Sequence, residues 1–110
     1  MSQEERIFNP LSYHRGSVWP HDNSLIAHGM ALLDFRREAA RVFTALFQTA
    51  VHFRDYRLPE LFCGVQRQEF DGPVHYPVSC SPQAWASGTM FLMLTSLLGI
   101  RPALLPRNCT

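Results

Sequence analysis

The chain has 110 residues, enough for one small domain, and an isolated domain of that size leaves much of its surface in water. Its ten basic and nine acidic side chains give a net charge of +1, which argues against a surface that binds nucleic acid or an anionic membrane. Apolar residues make up 46% of the chain and charged residues only 17%, so we expect apolar faces that a partner or further chain covers.

A first helix is predicted at about residues 20–33, after an irregular loop. Pro20 suits a first helical turn, because its missing N–H would be unpaired there anyway. Apolar residues then recur at helical spacing, at Leu25, Ile26, Gly29, Met30 and Leu33.

A second helix, at about residues 36–55, is clearly amphipathic. Its apolar residues follow a three-four rhythm from Ala39 to Phe53, and its polar residues fall largely on the other side. A single apolar stripe is typical of an outer helix that packs through one face and exposes the other face to solvent.

Residues 56–79 are too rich in proline and glycine for a helix, and a loop of that length usually has a function. Ser81 and Pro82 predict the start of a third helix at residue 82, and Gly99 predicts its end near residue 98. This helix is apolar nearly all round, as expected of an inner helix surrounded by others. The other members of such an arrangement are expected to lie outside this chain.

The N-terminus and the longest apolar run predict a cytoplasmic protein without a membrane anchor. Residues 1–6 are polar and lack the basic-then-apolar pattern of a secretory signal. Residues 90–98 are interrupted by Thr95 and Ser96, and the run is too short to cross a bilayer.

Residue types that bind metals are present but poorly spaced for a metal site. The cysteines are odd in number and form no C-x-x-C motif, so we expect free, buried thiols at Cys63, Cys80 and Cys109. No i, i+4 spacing relates His14, His21 and His75. We therefore predict no metal and no cofactor.

Two loops that precede predicted helices, residues 13–23 and 57–64, are dense in aromatic and hydrogen-bonding side chains. This composition fits carbohydrate, because sugars present apolar ring faces to Trp and Tyr and hydroxyl groups to polar side chains. Hydrolysis of a glycosidic bond would also need two carboxyl groups, one to protonate the leaving oxygen and one to activate water or attack directly.

Three strings, YHRGSVWPHDN, RLPELFCG and YPVSCSPQAWASG, carry a resemblance to a known group. Over roughly residues 8–100 the chain resembles the C-terminal half of bacterial amylo-α-1,6-glucosidase and glycogen-debranching-like proteins. These proteins are similar to the mannosylglycerate hydrolase, trehalase and glucoamylase superfamily. The resemblance implies an all-α fold that is part of an (α/α)6 toroid of the six-hairpin glycosidase type.

The same match implies roles for individual residues. Glu60, in the string Pro59-Glu60-Leu61-Phe62, matches the general base that the superfamily carries on a loop before a late inner helix. Contacts to the sugar are implied for Tyr13, His14, Trp19, Asp22, Asn23, Gln83 and Trp85.

The chain departs from the family pattern in three places. Arg15 stands where a small polar residue is usual, and the usual glycine near residues 33–35 is missing, so we expect an altered turn after the first helix. The general acid of these enzymes lies on an earlier loop, and nothing upstream of Ile7 can supply it. We therefore expect the chain alone to be inactive and to need the missing N-terminal part of the toroid or a partner chain.

Several of these residues also fit purely structural roles. Glu60 could be a solvated loop carboxylate, and the helix dipole alone could explain Asp22 in a first helical turn. Both Trp19 and Trp85 fit an ordinary core. We expect a solvated turn, rather than a site, at Glu69 and Asp71, because Gly72-Pro73 follows.

The sequence thus predicts part of an inverting glycoside hydrolase that acts on α-linked glucosides or related oligosaccharides, with Glu60 as the base. The alternative is a non-catalytic helical module that binds carbohydrate or has a structural role. A third possibility is a fragment of a longer reading frame.

Overall fold

The computed structural model describes residues 4–69 and 71–100, and the regular structure within them is helical. Three α-helices follow in chain order, α1 (Pro20–Leu32), α2 (Arg36–Ala50) and α3 (Ala84–Leu98), with short 3-10 helices at Arg54–Tyr56 and Arg67–Glu69. The described residues contain isolated β-bridges but no β-strand. The all-α class predicted from the sequence is confirmed.

Helix α1 begins with Pro20 in its first turn, as predicted. At its other end Asp34 has a φ of 68°, in the left-handed region that usually belongs to glycine. The Phe35 N–H donates to the Met30 carbonyl oxygen at 2.8 Å, which closes the helix in the way a C-terminal glycine normally allows. The expected alteration of this turn is therefore wrong, because an aspartate adopts the glycine conformation.

The buried face of α1 consists of small residues, namely Pro20, Ser24 and Ala27. Most of the large apolar residues that predicted this helix point outward, since Leu25, Ile26 and Leu33 are exposed. Small side chains let helices approach closely, and α1 packs against both α2 and α3. Its outer face remains open to a further partner.

Helix α2 ends at Ala50, so the predicted end at residue 55 is wrong. The backbone leaves the helical path, since Phe53 is extended, with φ −105° and ψ 150°. Asp55 and Tyr56 then adopt positive φ angles, of 55° and 56°. The apolar rhythm continued through Phe53 because that side chain is buried, although it is no longer helical.

Helix α3 starts two residues later than predicted, at Ala84. Ser81 is not its cap, because the residue directly before the helix is Gln83, in an extended conformation. Its predicted end is confirmed, since Gly99 has a φ of 67° and the N–H of Ile100 donates to a carbonyl oxygen of the last turn at 2.9 Å.

The core has two parts. One lies between the three helices and contains Ala27, Ala39 and Met93, with Met30, Ala31, Val42 and Phe43 packed against it. The other joins the end of α2, the long loop and the start of α3 through Ala50, Phe53, Leu58 and Ala86. The loop before Glu60 is thus anchored in the core by a fully buried leucine.

Large apolar side chains of α3 remain uncovered by the described residues. Phe91 is 74% exposed, Leu98 is 64% exposed and Leu94 is 49% exposed. An apolar helix with open faces fits the expectation that other helices surround it. Across the described residues, no helix combines the length and the apolar character that crossing a membrane requires.

The cysteines agree only in part with the expectation of free, buried thiols. Cys63 is free and buried, and its Sγ donates to the His75 carbonyl oxygen at 3.7 Å. Cys80 is free but exposed, so its predicted burial is wrong: it lies on the surface loop that precedes α3. Cys109 lies outside the described residues.

Candidate functional site

Backbone hydrogen bonds hold the two loops singled out in the sequence against each other. Val18 and Phe62 form an antiparallel bridge, with N–H···O distances of 2.8 and 3.1 Å. Phe62 also bridges to His75, so a third segment of the chain joins the same junction. These contacts bring the residues before α1 next to those around Glu60.

Gly64 makes this close approach possible. A Cβ atom on Gly64 would lie 1.8 Å from the carbonyl oxygen of Gly16, and backbone atoms cannot move aside as a flexible side chain would. Gly16 has a similar role within its own segment, because a Cβ there would lie 2.3 Å from the carbonyl oxygen of Asn9. The spacing between the two loops therefore depends on residue 64 being glycine.

Glu60 is held through its backbone and its carboxylate. Its N–H donates to the Cys80 carbonyl oxygen at 2.8 Å, and the Cys80 N–H donates to Glu60 Oε2 at 3.2 Å. The Tyr13 hydroxyl donates to the other carboxylate oxygen, Oε1, at 2.5 Å. Two other segments of the chain, those of Tyr13 and Cys80, thus fix the orientation of this side chain.

These contacts favour the ionised form of Glu60. The Tyr13 hydroxyl and, to a lesser extent, the Cys80 N–H lower the pKa of the carboxyl group, and the charge that His21 can carry lowers it further, against an opposing effect of desolvation. The same hydrogen bond raises the pKa of Tyr13 to about 12. Glu60 is therefore a carboxylate at neutral pH, and a carboxylate has about four acceptor positions, of which two are used here.

Tyr13, which bonds to this carboxylate, belongs to an aromatic cluster. The Tyr13 ring meets Trp19 edge-on, with centroids 4.8 Å apart, and His14 lies nearly parallel to Trp19, with centroids 6.1 Å apart. On the α3 side, the ring of His21 packs against Trp85 at 4.8 Å.

A depression of about 550 Å³ opens beside the cluster. Four of the predicted sugar contacts line it, namely His14, Trp19, Asp22 and Asn23. The rest of the lining consists of Gly16, Ser17, His21 and Ile26. The carboxylate of Asp22 is mostly exposed, whereas the Asn23 amide donates to the Trp19 carbonyl oxygen at 2.8 Å.

The other three predicted sugar contacts do not line this depression. Tyr13 is bonded to Glu60, and its carbonyl oxygen accepts the indole N–H of Trp19 at 3.2 Å. Trp85 is 55% exposed and lies against His21 at the edge of the site. Gln83 is half-buried at the start of α3, where its carbonyl oxygen accepts the N–H of Ser87.

Two residues of the site were not predicted from the sequence as sugar-site residues. His21 lines the depression, and its Nδ1 atom is buried without a hydrogen-bond partner in the described part of the chain. The rings of Tyr76 and Tyr13 pack edge-to-face, with centroids 5.7 Å apart. The signal for His21 was its place between Trp19 and Asp22 in one string, whereas nothing in the sequence connects Tyr76 with Tyr13.

The remaining candidates behave as solvated or packed residues. Both Glu69 and Asp71 are exposed, as predicted. His75 packs on Phe53, with ring centroids 4.6 Å apart. Within residues 4–69 and 71–100, no three His, Cys, Asp or Glu side chains come together as a set of metal ligands.

Glu60 itself does not line the depression; it is linked to the wall through Tyr13, which bonds to its carboxylate and packs against Trp19. The arrangement thus contains one oriented, ionised carboxylate and, one aromatic ring away, an open depression with aromatic and polar walls. It can accept a proton at the carboxylate and can offer a sugar both ring stacking and hydrogen bonds. No protein-family model and no curated protein matches the sequence.

Proposed function

We propose that this chain is part of a glycoside hydrolase that acts on α-linked glucosides or related oligosaccharides by inversion, with Glu60 as the general base. The observation that carries the proposal is the Glu60 carboxylate, which Tyr13 and Cys80 hold in a fixed orientation. Tyr13 in turn packs against Trp19, which lines the aromatic depression. The resemblance of the three sequence strings to debranching-type glucosidases supports the same chemistry.

In an inverting reaction, the base takes a proton from water while the water oxygen attacks the anomeric carbon, and an acid protonates the leaving oxygen. Glu60 has an acceptor position left on each carboxylate oxygen for that water, since each oxygen accepts one protein hydrogen bond. The bond to the leaving oxygen breaks as the new C–O bond forms. The proton on the water ends on Glu60.

The walls of the depression suit a sugar ring and its hydroxyl groups. Trp19 lies in the wall of the depression, where its ring can contact the apolar face of a sugar, and the exposed Asp22 carboxylate can accept hydrogen bonds from hydroxyl groups. His14 and Asn23 add polar lining, and Trp85 and Gln83 extend the proposed site toward α3.

We place the chain within an (α/α)6 toroid in a cytoplasmic enzyme. The open apolar faces of α1 and α3 support this placement, because neighbouring helices of the toroid would cover them. The general acid would come from those further helices, supplied by the rest of the protein or by a partner chain.

The test is Glu60→Gln in a protein that carries this chain together with the other helices of the toroid. The amide keeps the shape but cannot take the proton, so kcat on α-glucosides should fall by about a hundred- to ten-thousand-fold with KM nearly unchanged. The matched control is Glu69→Gln, the same change at an exposed loop position, which should leave both constants unaltered. Near-normal kcat in Glu60→Gln would remove Glu60 from the mechanism.

The second candidate is a carbohydrate-binding module without catalysis. It is favoured by one observation: a single stretch, from His14 to Ile26, supplies the described residues that line the depression, and Glu60 is not among them. Calorimetry with α-linked oligosaccharides, combined with the absence of hydrolysis in the protein with all its helices, would support this candidate over the first.

A further inference from the structure

We infer that Tyr13 is a positioning residue, which aims the Glu60 carboxylate at the attacking water and is not a contact for the sugar. This inference rests on the proposed function in so far as it concerns catalysis. The hydrogen bond itself and its effect on Glu60 can be measured without any enzymatic assay.

The residues packed around Tyr13 fix the direction in which its hydroxyl group points. Its ring is enclosed by the edges or faces of His14, Trp19 and Tyr76, with centroids 4.7, 4.8 and 5.7 Å away. Its backbone is fixed as well, because its carbonyl oxygen accepts the indole N–H of Trp19. The hydroxyl then lies 2.5 Å from Glu60 Oε1, at the short end of the range for O–H···O⁻ bonds.

The Tyr13 hydroxyl is already engaged by Glu60. Neither residue lines the depression in which a sugar would sit, and the Tyr13 side chain points toward the loop that carries Glu60. A phenol that donates its single proton to a carboxylate cannot donate it to a sugar hydroxyl at the same time. The hydrogen bond therefore favours a role through Glu60.

The charged and titratable groups that face this pair come from three elements. Glu60 faces the Tyr13 hydroxyl and the Cys80 N–H, which lie on loops, and His21, which lies on α1. Tyr13 also faces the Cys80 thiol and the Tyr76 hydroxyl. The Tyr13 hydrogen bond is the largest of the effects that lower the pKa of Glu60. Removing it should raise that pKa toward the ordinary value of about 4.3.

The first measurement follows the NMR signals of the glutamate carboxyl carbons over a pH series. The signal of Glu60 is the one that disappears in Glu60→Gln. In the unsubstituted protein Glu60 should titrate below the ordinary range, and in Tyr13→Phe its midpoint should move up. The control is Tyr56→Phe, which removes a phenol hydroxyl from a side chain that is 73% exposed and should leave Glu60 unchanged. A Glu60 that titrates in the ordinary range without substitution, or the same midpoint in Tyr13→Phe, would overturn the inference.

A reciprocal measurement does not require Tyr13→Phe to fold. In the unsubstituted protein one tyrosine should titrate at about 12, and in Glu60→Gln its midpoint should fall toward the ordinary value of about 10. A midpoint that stays at about 12 in Glu60→Gln would show that Glu60 does not bond to Tyr13, and the inference would be withdrawn.

Kinetics then separate positioning from sugar binding. With Tyr13→Phe, kcat should fall about ten- to a hundredfold while KM stays nearly constant, because a misplaced base affects the chemical step. Since Glu60 must be ionised to act, activity is lost as pH falls through its pKa, and the acid limb of the pH profile should move to higher pH. A rise in KM with kcat and the acid limb unchanged would make Tyr13 a sugar contact instead. If Glu60→Gln keeps full activity, the proposed function fails, yet the NMR result on the Tyr13–Glu60 pair stands.

Discussion

Gly64 sets how closely the two site loops approach, and this distance decides whether Tyr13 can reach Glu60. The hydrogen bond between Tyr13 and Glu60 spans 47 positions of the chain, so it exists only if the loops are correctly packed. The Gly64 N–H also donates to the Pro10 carbonyl oxygen at 2.9 Å, which ties the segment before the first loop to the end of the second. A side chain at residue 64 would separate the loops.

Gly64→Ala should lower the free energy of unfolding by about 1–3 kcal/mol, because the added methyl group would lie 1.8 Å from a backbone oxygen that cannot rotate away. Denaturant unfolding measures the change. The control is Gly88→Ala, since a Cβ there meets nothing within 4 Å and alanine is the better helix former, so stability should rise by about 0.5–1 kcal/mol. Equal effects of the two substitutions would contradict the described loop contact.

The sequence predicted the composition of the site better than its contacts. The strings around Trp19 and Glu60 identified the residues that the loops bring together. The partner of Tyr13 could not be predicted, because it depends on how two irregular loops pack, and such loops have no periodic pattern from which to infer a contact. The pairing of His21 with Trp85 was missed because it depends on how α1 packs against α3, which the pattern within either helix does not specify.

The helix ends show how local chemistry and tertiary packing share control of the secondary structure. Pro20 and Gly99 act within their own turns, and both ends were predicted to within a residue. The end of α2 and the start of α3 were missed, because tertiary contacts decide them: Phe53 leaves the helix to enter the core, and the Gln83 N–H donates to the Leu58 carbonyl oxygen at 3.3 Å.

Asp34→Gly should stabilise the protein by about 0.5–1 kcal/mol. Asp34 has a φ of 68°, a conformation that costs a residue with a Cβ about 1–2 kcal/mol and costs glycine much less, although glycine loses more backbone freedom on folding. The ion pair between Asp34 and Arg36 would be lost, but both side chains are highly exposed and such pairs contribute little. Thermal unfolding at two salt concentrations measures the net change.

The reverse substitution at the matching end of α3 is the control. Gly99 has nearly the same φ, 67°, so Gly99→Asp should destabilise the protein by a similar amount. If Asp34→Gly destabilises the protein while Gly99→Asp has no effect, backbone strain is not the reason that these two helix ends differ.

Taken as a whole, the molecule presents more apolar helix surface than its own core uses. On α1 and α3 the largest apolar side chains point away from the clusters that the three helices share, among them Leu25, Ile26, Phe91 and Leu98. Exposed apolar surface of this kind is typical of an interaction face. The sequence predicted this from composition and from the all-round apolar character of α3, but no sequence pattern identifies what covers the face.

The 110-residue chain on its own should therefore associate or unfold readily. Gel filtration over a range of concentrations, combined with a thermal melt, tests this. Phe91→Gln, at a position that is 74% exposed, should reduce the association without reducing the stability of the fold. A clean monomer with a sharp cooperative transition would argue that no further helices are needed to complete the structure.

The most direct test of Glu60 as the base is rescue of Glu60→Ala by azide, in a protein that carries the full set of helices. Azide can occupy the space left by the carboxylate and attack the anomeric carbon without giving up a proton, so it needs no base. We predict that Glu60→Ala loses hydrolysis by about a hundred- to ten-thousand-fold, and that azide restores turnover and yields a β-glycosyl azide from an α-glucoside. Near-normal hydrolysis by Glu60→Ala, or an azide product that retains the α configuration, would contradict the assignment.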